Sequence, residues 1–111
     1  MIYKVFRTSE WEELRERGIS CGAPVDLADG FIHFSTRAQL RETVAKHFSG
    51  ACDLWLAAID GAGLGDALRW EKSRNGDLFP HLYRALRIEE IQSCQPLPLV
   101  DGAHILPDHL A

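Results

Sequence analysis

The stretch of sequence that decides the fold is Asp29-Gly30-Phe31-Ile32-His33-Phe34-Ser35-Thr36. Its first two residues form a dipeptide typical of turns. Residues 31–35 alternate as in a β-strand, with Ile32 and Phe34 on one face, which predicts an anchor in the core. The opposite face carries Phe31, His33 and Ser35, so it presents an imidazole and a hydroxyl where the strand ends and a helix begins. Functional groups often collect at such strand ends.

The composition predicts one domain, residues 1–111, that is long enough to bury a hydrophobic core. The chain is 46% hydrophobic and 25% charged, as in soluble globular proteins. Its net charge of -4 argues against bulk nucleic-acid binding, which usually requires a basic face. A small anionic ligand is still compatible with it, because a local pocket can be positive in an acidic protein.

Localisation is predicted from what the sequence lacks. The first residues do not have the pattern of a signal peptide, and no apolar run approaches the length of a membrane span. The three cysteines, at 21, 52 and 94, are too widely spaced for a disulfide framework or a zinc motif. We therefore expect a cytoplasmic protein with reduced thiols and no membrane contact.

The first half of the chain predicts a strand over residues 2–6 and two capped helices. Ser9 and Glu12 fit a capping box, and Gly18 is expected to end that helix. Residues 19–28 are interpreted as a loop. Thr36 and Gln39 fit a second capping box, whose helix extends to about Phe48.

The second half predicts mainly strands. Residues 52–59 are apolar on both faces, as in a central strand, whereas the glycine-rich residues 60–66 are interpreted as a flexible loop. Further strands are expected at residues 68–71 and 79–83, around a polar turn at 73–77. Residues 88–95 predict a short turn and then a strand, and the tail from Asp101 looks irregular. Two main helices with strands throughout the chain indicate an α+β fold rather than a parallel sheet.

Three groups of side chains are candidates for a functional site. His33 could bind an anion or a ribose hydroxyl, or act as a base, while Ser35 and Thr36 either hold a ligand at the helix start or only cap the helix. The second and third groups are Arg69-Trp70-Glu71 and the pair His81 and Tyr83 on one strand face. The alternative interpretation is that the second group forms a cross-strand ion pair and that Tyr83 is a half-buried wall residue. A metal site built from His33, His81 and Glu71 is possible, because three N/O ligands suit zinc. Nothing in their spacing supports it, so a metal-free pocket is preferred.

Three runs of the sequence carry a family resemblance: residues 25–36 (Val-Asp-Leu-Ala-Asp-Gly-Phe-Ile-His-Phe-Ser-Thr), Leu68-Arg69-Trp70-Glu71, and Phe79-Pro80-His81-Leu82-Tyr83-Arg84. They resemble the small bacterial proteins of domain-of-unknown-function family 952, and the opening Ile2-Tyr3-Lys4 and the pair Glu10-Trp11 fit as well. The resemblance covers nearly the whole chain, which is therefore identified as a member of that family.

Membership implies a fold similar to that of the ADP-ribosyltransferases: a split, mostly antiparallel sheet with a cleft that holds NAD in the true transferases. In this comparison Lys4 falls near the first-strand position, Ser35-Thr36 resemble the second-strand pair, and Glu71 stands for the late catalytic glutamate. Lys4 replaces a histidine of many relatives, and a lysine is a point charge that cannot donate from a ring. His33 and His81 belong to this family's own pattern.

The resulting hypothesis is a polar cleft that binds a nucleotide-like or other small anionic ligand, with NAD as a substrate rather than a resident cofactor. His33, Glu71 and His81 are the expected catalytic residues, and the expected ligand-binding residues are Lys4, Ser35, Thr36, Arg69, Trp70 and Tyr83. If the protein is an enzyme, it is a transferase or hydrolase. Two alternatives stay open: a non-enzymatic peptide-binding module using Leu64, Leu78 and Phe79, and a metal-dependent hydrolase. The oligomeric state is not predicted.

Overall fold

A computed structural model describes residues 1–73 and 76–110 of the chain. In this part of the chain, three short 3-10 helices, at Gly61–Ala67, Ile88–Glu90 and Asp108–Leu110, accompany the helices and strands. In chain order these are β1 (Ile2–Arg7), α1 (Thr8–Arg17), β2 (Ile19–Ser20), α2 (Pro24–Asp29), β3 (Ile32–His33), α3 (Arg37–His47), β4 (Leu54–Ile59), β5 (Leu68–Lys72), β6 (Leu78–Leu82), β7 (Leu86–Arg87), β8 (Ile91–Leu97), β9 (Leu99–Val100) and β10 (Ala103–His104).

Two three-stranded antiparallel sheets form the frame of the molecule. The first has the order β1-β4-β8, and the second has the order β3-β6-β5. Among residues 1–73 and 76–110, one isolated backbone bridge links the two sheets: Tyr3 and Ser35 exchange both backbone hydrogen bonds, 2.8 and 2.9 Å long. The predicted α+β class with mostly antiparallel strands is confirmed, and so is the central position of β4 within residues 52–59.

The first sheet is covered on both faces, because the side chains of β1 alternate between two cores. Ile2 and Phe6 pack with Trp11 and Leu14 of α1 in one cluster. Tyr3 and Val5 belong to a second cluster, whose helix residues Leu40 and Val44 come from α3. Trp11 is thus a core residue, as its place in the helix pattern predicts.

The central stretch pairs differently from the prediction. Only Ile32 and His33 form regular strand pairs, opposite Leu82 and His81 of β6. At Ser35 the backbone leaves β6 and bonds to β1 instead. The strand is therefore shorter than residues 31–35, because these residues change partners between the two sheets. This change of partner is what opens a space between the sheets.

The capping box predicted at Ser9 and Glu12 is wrong: the N-cap is Arg7, two residues earlier, and α1 begins at Thr8. The backbone N–H of Arg7 donates to the carboxylate of Glu10 (2.9 Å). The Thr8 hydroxyl is committed to tertiary contacts: it donates to the Asp53 carbonyl (2.7 Å) and accepts from the Trp55 indole (3.0 Å). The predicted helix end is confirmed, since Gly18 has φ 79°, a left-handed conformation that suits glycine.

Three segments interpreted as loops or irregular structure contain regular elements. Residues 19–28 include β2, which pairs with β7, and most of the six-residue helix α2. Residues 61–67 form 3-10 turns on either side of a break at Gly65, where φ is 65°, rather than a flexible loop. The tail forms the β9–β10 hairpin. The middle of the turn predicted at 73–77 lies outside the described residues.

The predictions for α3, β5, β6 and β8 are confirmed. Thr36 and Gln39 form the expected capping box at the start of α3, with bonds of 3.3 and 3.0 Å. β5 and β6 cover the strands predicted at 68–71 and 79–83, and a 3-10 turn precedes β8. All three cysteines are free thiols. Among the described residues, no helix is both long enough and apolar enough to span a membrane.

Candidate functional site

A cleft of about 630 Å³ lies where the two sheets diverge. Its floor comes from β1 and from the residues that follow β3, and its walls come from α2, from the last turn of α3 and from β6. Charged and imidazole side chains make up much of this lining: Lys4, Arg7, Glu10, Asp26, Asp29, His33, Lys46, His47 and His81.

Asp26 is the most deeply buried charged group of the cleft, with only 1% of its surface exposed. Its carboxylate accepts four hydrogen bonds. Lys4 Nζ (2.8 Å) and the backbone N–H of Ala23 (2.7 Å) donate to Oδ2, while His33 donates to Oδ1 from Nδ1 (2.6 Å) and from its backbone (3.1 Å). One side chain therefore fixes the positions of β1, α2 and β3 relative to one another.

The surroundings of Asp26 determine its charge. Burial on its own would raise the pKa of the carboxyl, but the hydrogen bond from His33 and the ammonium of Lys4 outweigh it and lower the pKa to about 2. An ionised carboxylate can only accept hydrogen bonds, so His33 carries a proton on Nδ1. Asp26 and Lys4 thus form a buried ion pair, and each oxygen of the Asp26 carboxylate accepts two hydrogen bonds.

The His33 ring reaches from this buried carboxylate toward solvent, with 33% of its side chain exposed. Its second nitrogen, Nε2, lies 3.0 Å from Oδ2 of Asp29, at the end of α2. Both ring nitrogens therefore face carboxylates. The arrangement aligns the imidazole at the rim of the cleft, where it can exchange a proton with a bound group.

His81 is held by a second carboxylate on the other sheet. Its Nδ1 lies 2.9 Å from Oε1 of Glu71, and the same oxygen accepts a 2.6 Å bond from the Tyr83 hydroxyl. The hydrogen bonds from Tyr83 and His81 lower the pKa of Glu71, and the same Tyr83–Glu71 bond raises the pKa of Tyr83. Glu71 does not line the cleft, whereas His81 does.

The two histidines are neighbours across the β3–β6 pair. Their ring centroids are 5.3 Å apart, with the rings at 67°. Phe31 fixes this arrangement, since its ring stacks on His81 at 4.2 Å and also contacts His33 at 4.7 Å and Tyr83 at 5.2 Å. The prediction that His33 and His81 share a site agrees with this placement, although Glu71 contacts His81 and not His33.

The other predicted ligand-binding residues are divided between the cleft and the protein surface. Lys4 and Ser35 line the cleft, where the Ser35 hydroxyl lies 2.8 Å from that of Thr43. Thr36 only caps α3. Arg69 lies over the Tyr83 ring at 4.8 Å, and Trp70 is 49% exposed; neither of these two lines the cleft.

The two alternatives find little support in this geometry. Within the described part of the chain, no group of three or more His, Cys, Asp or Glu side chains is arranged to hold a metal ion. Of the apolar residues considered for peptide binding, Leu64 and Phe79 are buried in the fold and only Leu78 is exposed.

Sequence reasoning missed Asp26, the central carboxylate, together with Asp29 and the basic residues Arg7, Lys46 and His47 of the lining. The only local signal for Asp26 is its place two residues after Pro24, in the first turn of a possible helix. Its partners lie 22 residues before it and 7 residues after it. No periodic pattern connects such positions.

Comparisons with known proteins agree with this fold. A crystal structure of protein CC0527 from Caulobacter crescentus is 46% identical, with a TM-score of 0.93 over 98% of this chain and 96% of that one. A solution NMR structure of CC0527 is 47% identical, with a TM-score of 0.87 over 99% and 96% of the two chains. A search of curated proteins found no match. The family described as "Protein of unknown function (DUF952)" matches residues 5–94, and the chain therefore belongs to the DUF952 family.

Proposed function

We propose that the cleft binds a small ligand of nucleotide type, with an NAD or ADP-ribosyl compound as the first candidate. The observation that supports this is the meeting of two carboxylate-oriented imidazoles, His33 and His81, at one cleft. A volume of about 630 Å³ is within the range of small-molecule sites. The opening between two three-stranded sheets also supports the likeness to the ADP-ribosyltransferase fold, which is part of the proposal.

The chemistry that such a site supports is proton transfer in a transferase or hydrolase reaction of a cytoplasmic enzyme. An imidazole with a carboxylate on Nδ1 is held in one orientation and exchanges protons through Nε2. At His33 this nitrogen also meets Asp29 (3.0 Å), so a bound group would have to compete with that exposed carboxylate. His33 and His81 are the catalytic candidates on this basis. Glu71 acts through His81 as a positioning residue, because its carboxylate lies behind that ring and not at the cleft.

An NMR titration tests ligand binding. We expect saturable amide shifts at residues 31–36 and 81–83 when NAD or ADP-ribose is added to the protein. The His33→Ala variant should lose these shifts, because it removes one of the two imidazoles. His109→Ala is the matched control, since His109 is an exposed histidine of the tail. Absence of any shift at millimolar ligand would contradict the proposal.

A further inference from the structure

His81 has a buried nitrogen, Nε2, for which the described part of the chain offers no hydrogen-bond partner. The side chain is only 6% exposed, and its Nδ1 is bonded to Glu71. Among residues 1–73 and 76–110, no hydrogen bond to His81 Nε2 is found. Buried polar groups are nearly always hydrogen-bonded. Because Glu71 lies outside the cleft and His81 lines it, the ring edge that carries Nε2 faces the cleft.

The hydrogen-bonding capacity of this nitrogen follows from Glu71. An ionised carboxylate accepts a proton from Nδ1, so the neutral ring carries its proton there and Nε2 is an acceptor. The group that satisfies Nε2 must therefore donate a hydrogen bond. A hydroxyl can do so, whereas a phosphate or carboxylate oxygen cannot unless it is protonated.

The charges of the cleft separate along its length. The two carboxylates Asp26 and Asp29 lie at the histidine end, where Lys4 neutralises only one of them. At the other end, Arg7 lies over the ring of Phe48, immediately after α3, and its ion pair with Glu10 is loose at 3.6 Å.

Lys46, which is exposed in the last turn of α3, and His47 complete the basic end. Lys4 and Arg7 are three residues apart in β1, so their Cα atoms are about 10 Å apart.

We propose that the cleft binds its ligand in one orientation, with a sugar hydroxyl donated to His81 Nε2 and an anionic group at Arg7 and Lys46. The ligand class is a phosphorylated sugar or a nucleotide whose ribose points toward the histidines. This inference rests on the proposed function and adds the direction of binding. A phosphate at the histidine end would meet two carboxylates and a nitrogen that offers it no proton.

The ligand-free protein gives the first test. Long-range ¹H–¹⁵N NMR spectra of the histidine rings, assigned with His81→Asn, report which nitrogen carries the proton. The expected result is a proton on Nδ1 of His81 and none on Nε2. A proton on Nε2 in the neutral ring would overturn the inference, whatever the protein binds, because the nitrogen would then be a donor.

Three probes then separate the two ends of the cleft in the native protein: ribose, inorganic phosphate and ribose 5-phosphate. Ribose is expected to shift the His81 ring resonances, phosphate to shift the amides of residues 7 and 46, and ribose 5-phosphate to do both. Lys46→Gln should weaken phosphate binding about tenfold, the effect of losing one charged hydrogen bond, and should leave the ribose response unchanged. Lys46 is exposed, so this variant should fold.

The outcomes distinguish this inference from the proposed function. If phosphate shifts the His81 ring and Lys46→Gln does not reduce that shift, the anion binds at the histidine end and the orientation is wrong. If ADP-ribose binds without changing the His81 ring, the orientation is again wrong but the cleft remains a nucleotide site. If neither ADP-ribose nor any probe binds, the proposed function itself is wrong.

Discussion

Two carboxylate–histidine pairs place a histidine at the cleft, and the two pairs differ in which partner is buried. In the inner pair, Asp26–His33, the carboxylate is fully buried and the imidazole is one-third exposed. In the outer pair, Glu71–His81, the imidazole is buried and 38% of the glutamate side chain is exposed. Both pairs join a carboxylate to an imidazole. The group that is removed from water is the carboxylate in the inner pair and the imidazole in the outer pair.

Because of this difference, we expect the inner pair to contribute to the stability of the fold and the outer pair mainly to orient His81. A buried carboxylate is tolerated only with full hydrogen bonding and a counter-charge, so the inner pair requires Lys4 and Ala23 and holds three elements together. An exposed carboxylate is already solvated and needs no such support. The outer pair therefore orients His81 with little effect on folding. The following experiments test this contrast, in order of expected effect.

The largest effect is expected from Asp26→Asn. An amide cannot neutralise Lys4, which stays buried, and loss of one partner of a buried ion pair costs about 3–5 kcal/mol. Urea denaturation should show this as a lower free energy of unfolding. Asp29→Asn is the control, because Asp29 is 47% exposed and its loss should cost less than about 1 kcal/mol. Similar decreases in the free energy of unfolding of the two variants would show that burial of the carboxylate does not determine its contribution to stability.

The acid stability of the protein should depend on the inner pair. The pKa of Asp26 is lowered from 3.8 to about 2 in the folded state. A lowered folded-state pKa means that the stabilisation is complete above the unfolded value and is lost as the pH falls through about 2. The loss corresponds to about 2.5 kcal/mol. Unfolding measured from about pH 5 to about pH 2 should show this loss in the native protein and a smaller one in Asp26→Asn.

Gly22→Ala tests how closely the backbone approaches Asp26. Gly22 has φ +103°, and an added Cβ would lie 2.5 Å from Cβ and Oδ2 of Asp26. Left-handed strain and overpacking together should cost about 2–3 kcal/mol. Gly18→Ala is the control, since φ is +79° there but nothing lies within 4 Å of the added atom; only the strain, about 1 kcal/mol, is expected. Thermal unfolding compares the two, and equal losses would show that Asp26 moves freely.

The smallest change in stability is expected from Glu71→Gln. Its main effect should be electrostatic, because Glu71 raises the pKa of Tyr83 through their hydrogen bond. Absorbance titration of the phenols should show one tyrosine ionising at lower pH in the variant, while the denaturation midpoint changes little. Tyr83→Phe assigns that transition. A large loss of stability in Glu71→Gln would show that both pairs support the fold.

The sequence predicts the parts of the fold that local patterns determine. Alternation locates β1, a run that is apolar on both faces locates β4, and the capping box locates α3. The Ser9 capping box fails because Thr8 is held by Asp53 and Trp55, more than forty residues away, and a tertiary contact of this kind leaves no local pattern. The β9–β10 hairpin had an available signal: Asp101-Gly102, both with positive φ, is a dipeptide typical of two-residue hairpin turns.

For the site, the sequence identifies the residues on paired strands and misses those on α2. His33, His81, Glu71 and Tyr83 belong to strand patterns, so their faces could be predicted, although the pairing of Glu71 with His81 depends on the register of β5 and β6. Asp26 lies on a six-residue helix that is too short to show helical periodicity. Its function as an anchor appears only when β1 and β3 are brought together.

The bridge between Tyr3 and Ser35 can open locally while Ile2, Phe6, Ile32 and Leu82 keep the two sheets packed in one core. Beside the cleft the sheets share two main-chain hydrogen bonds, and the Lys4–Asp26 pair reinforces them. Local opening needs far less free energy than global unfolding when few contacts are broken. Hydrogen exchange of the Tyr3 and Ser35 amide protons therefore reports local opening of the cleft. Their exchange with deuterium should slow when a bound ligand contacts both sheets.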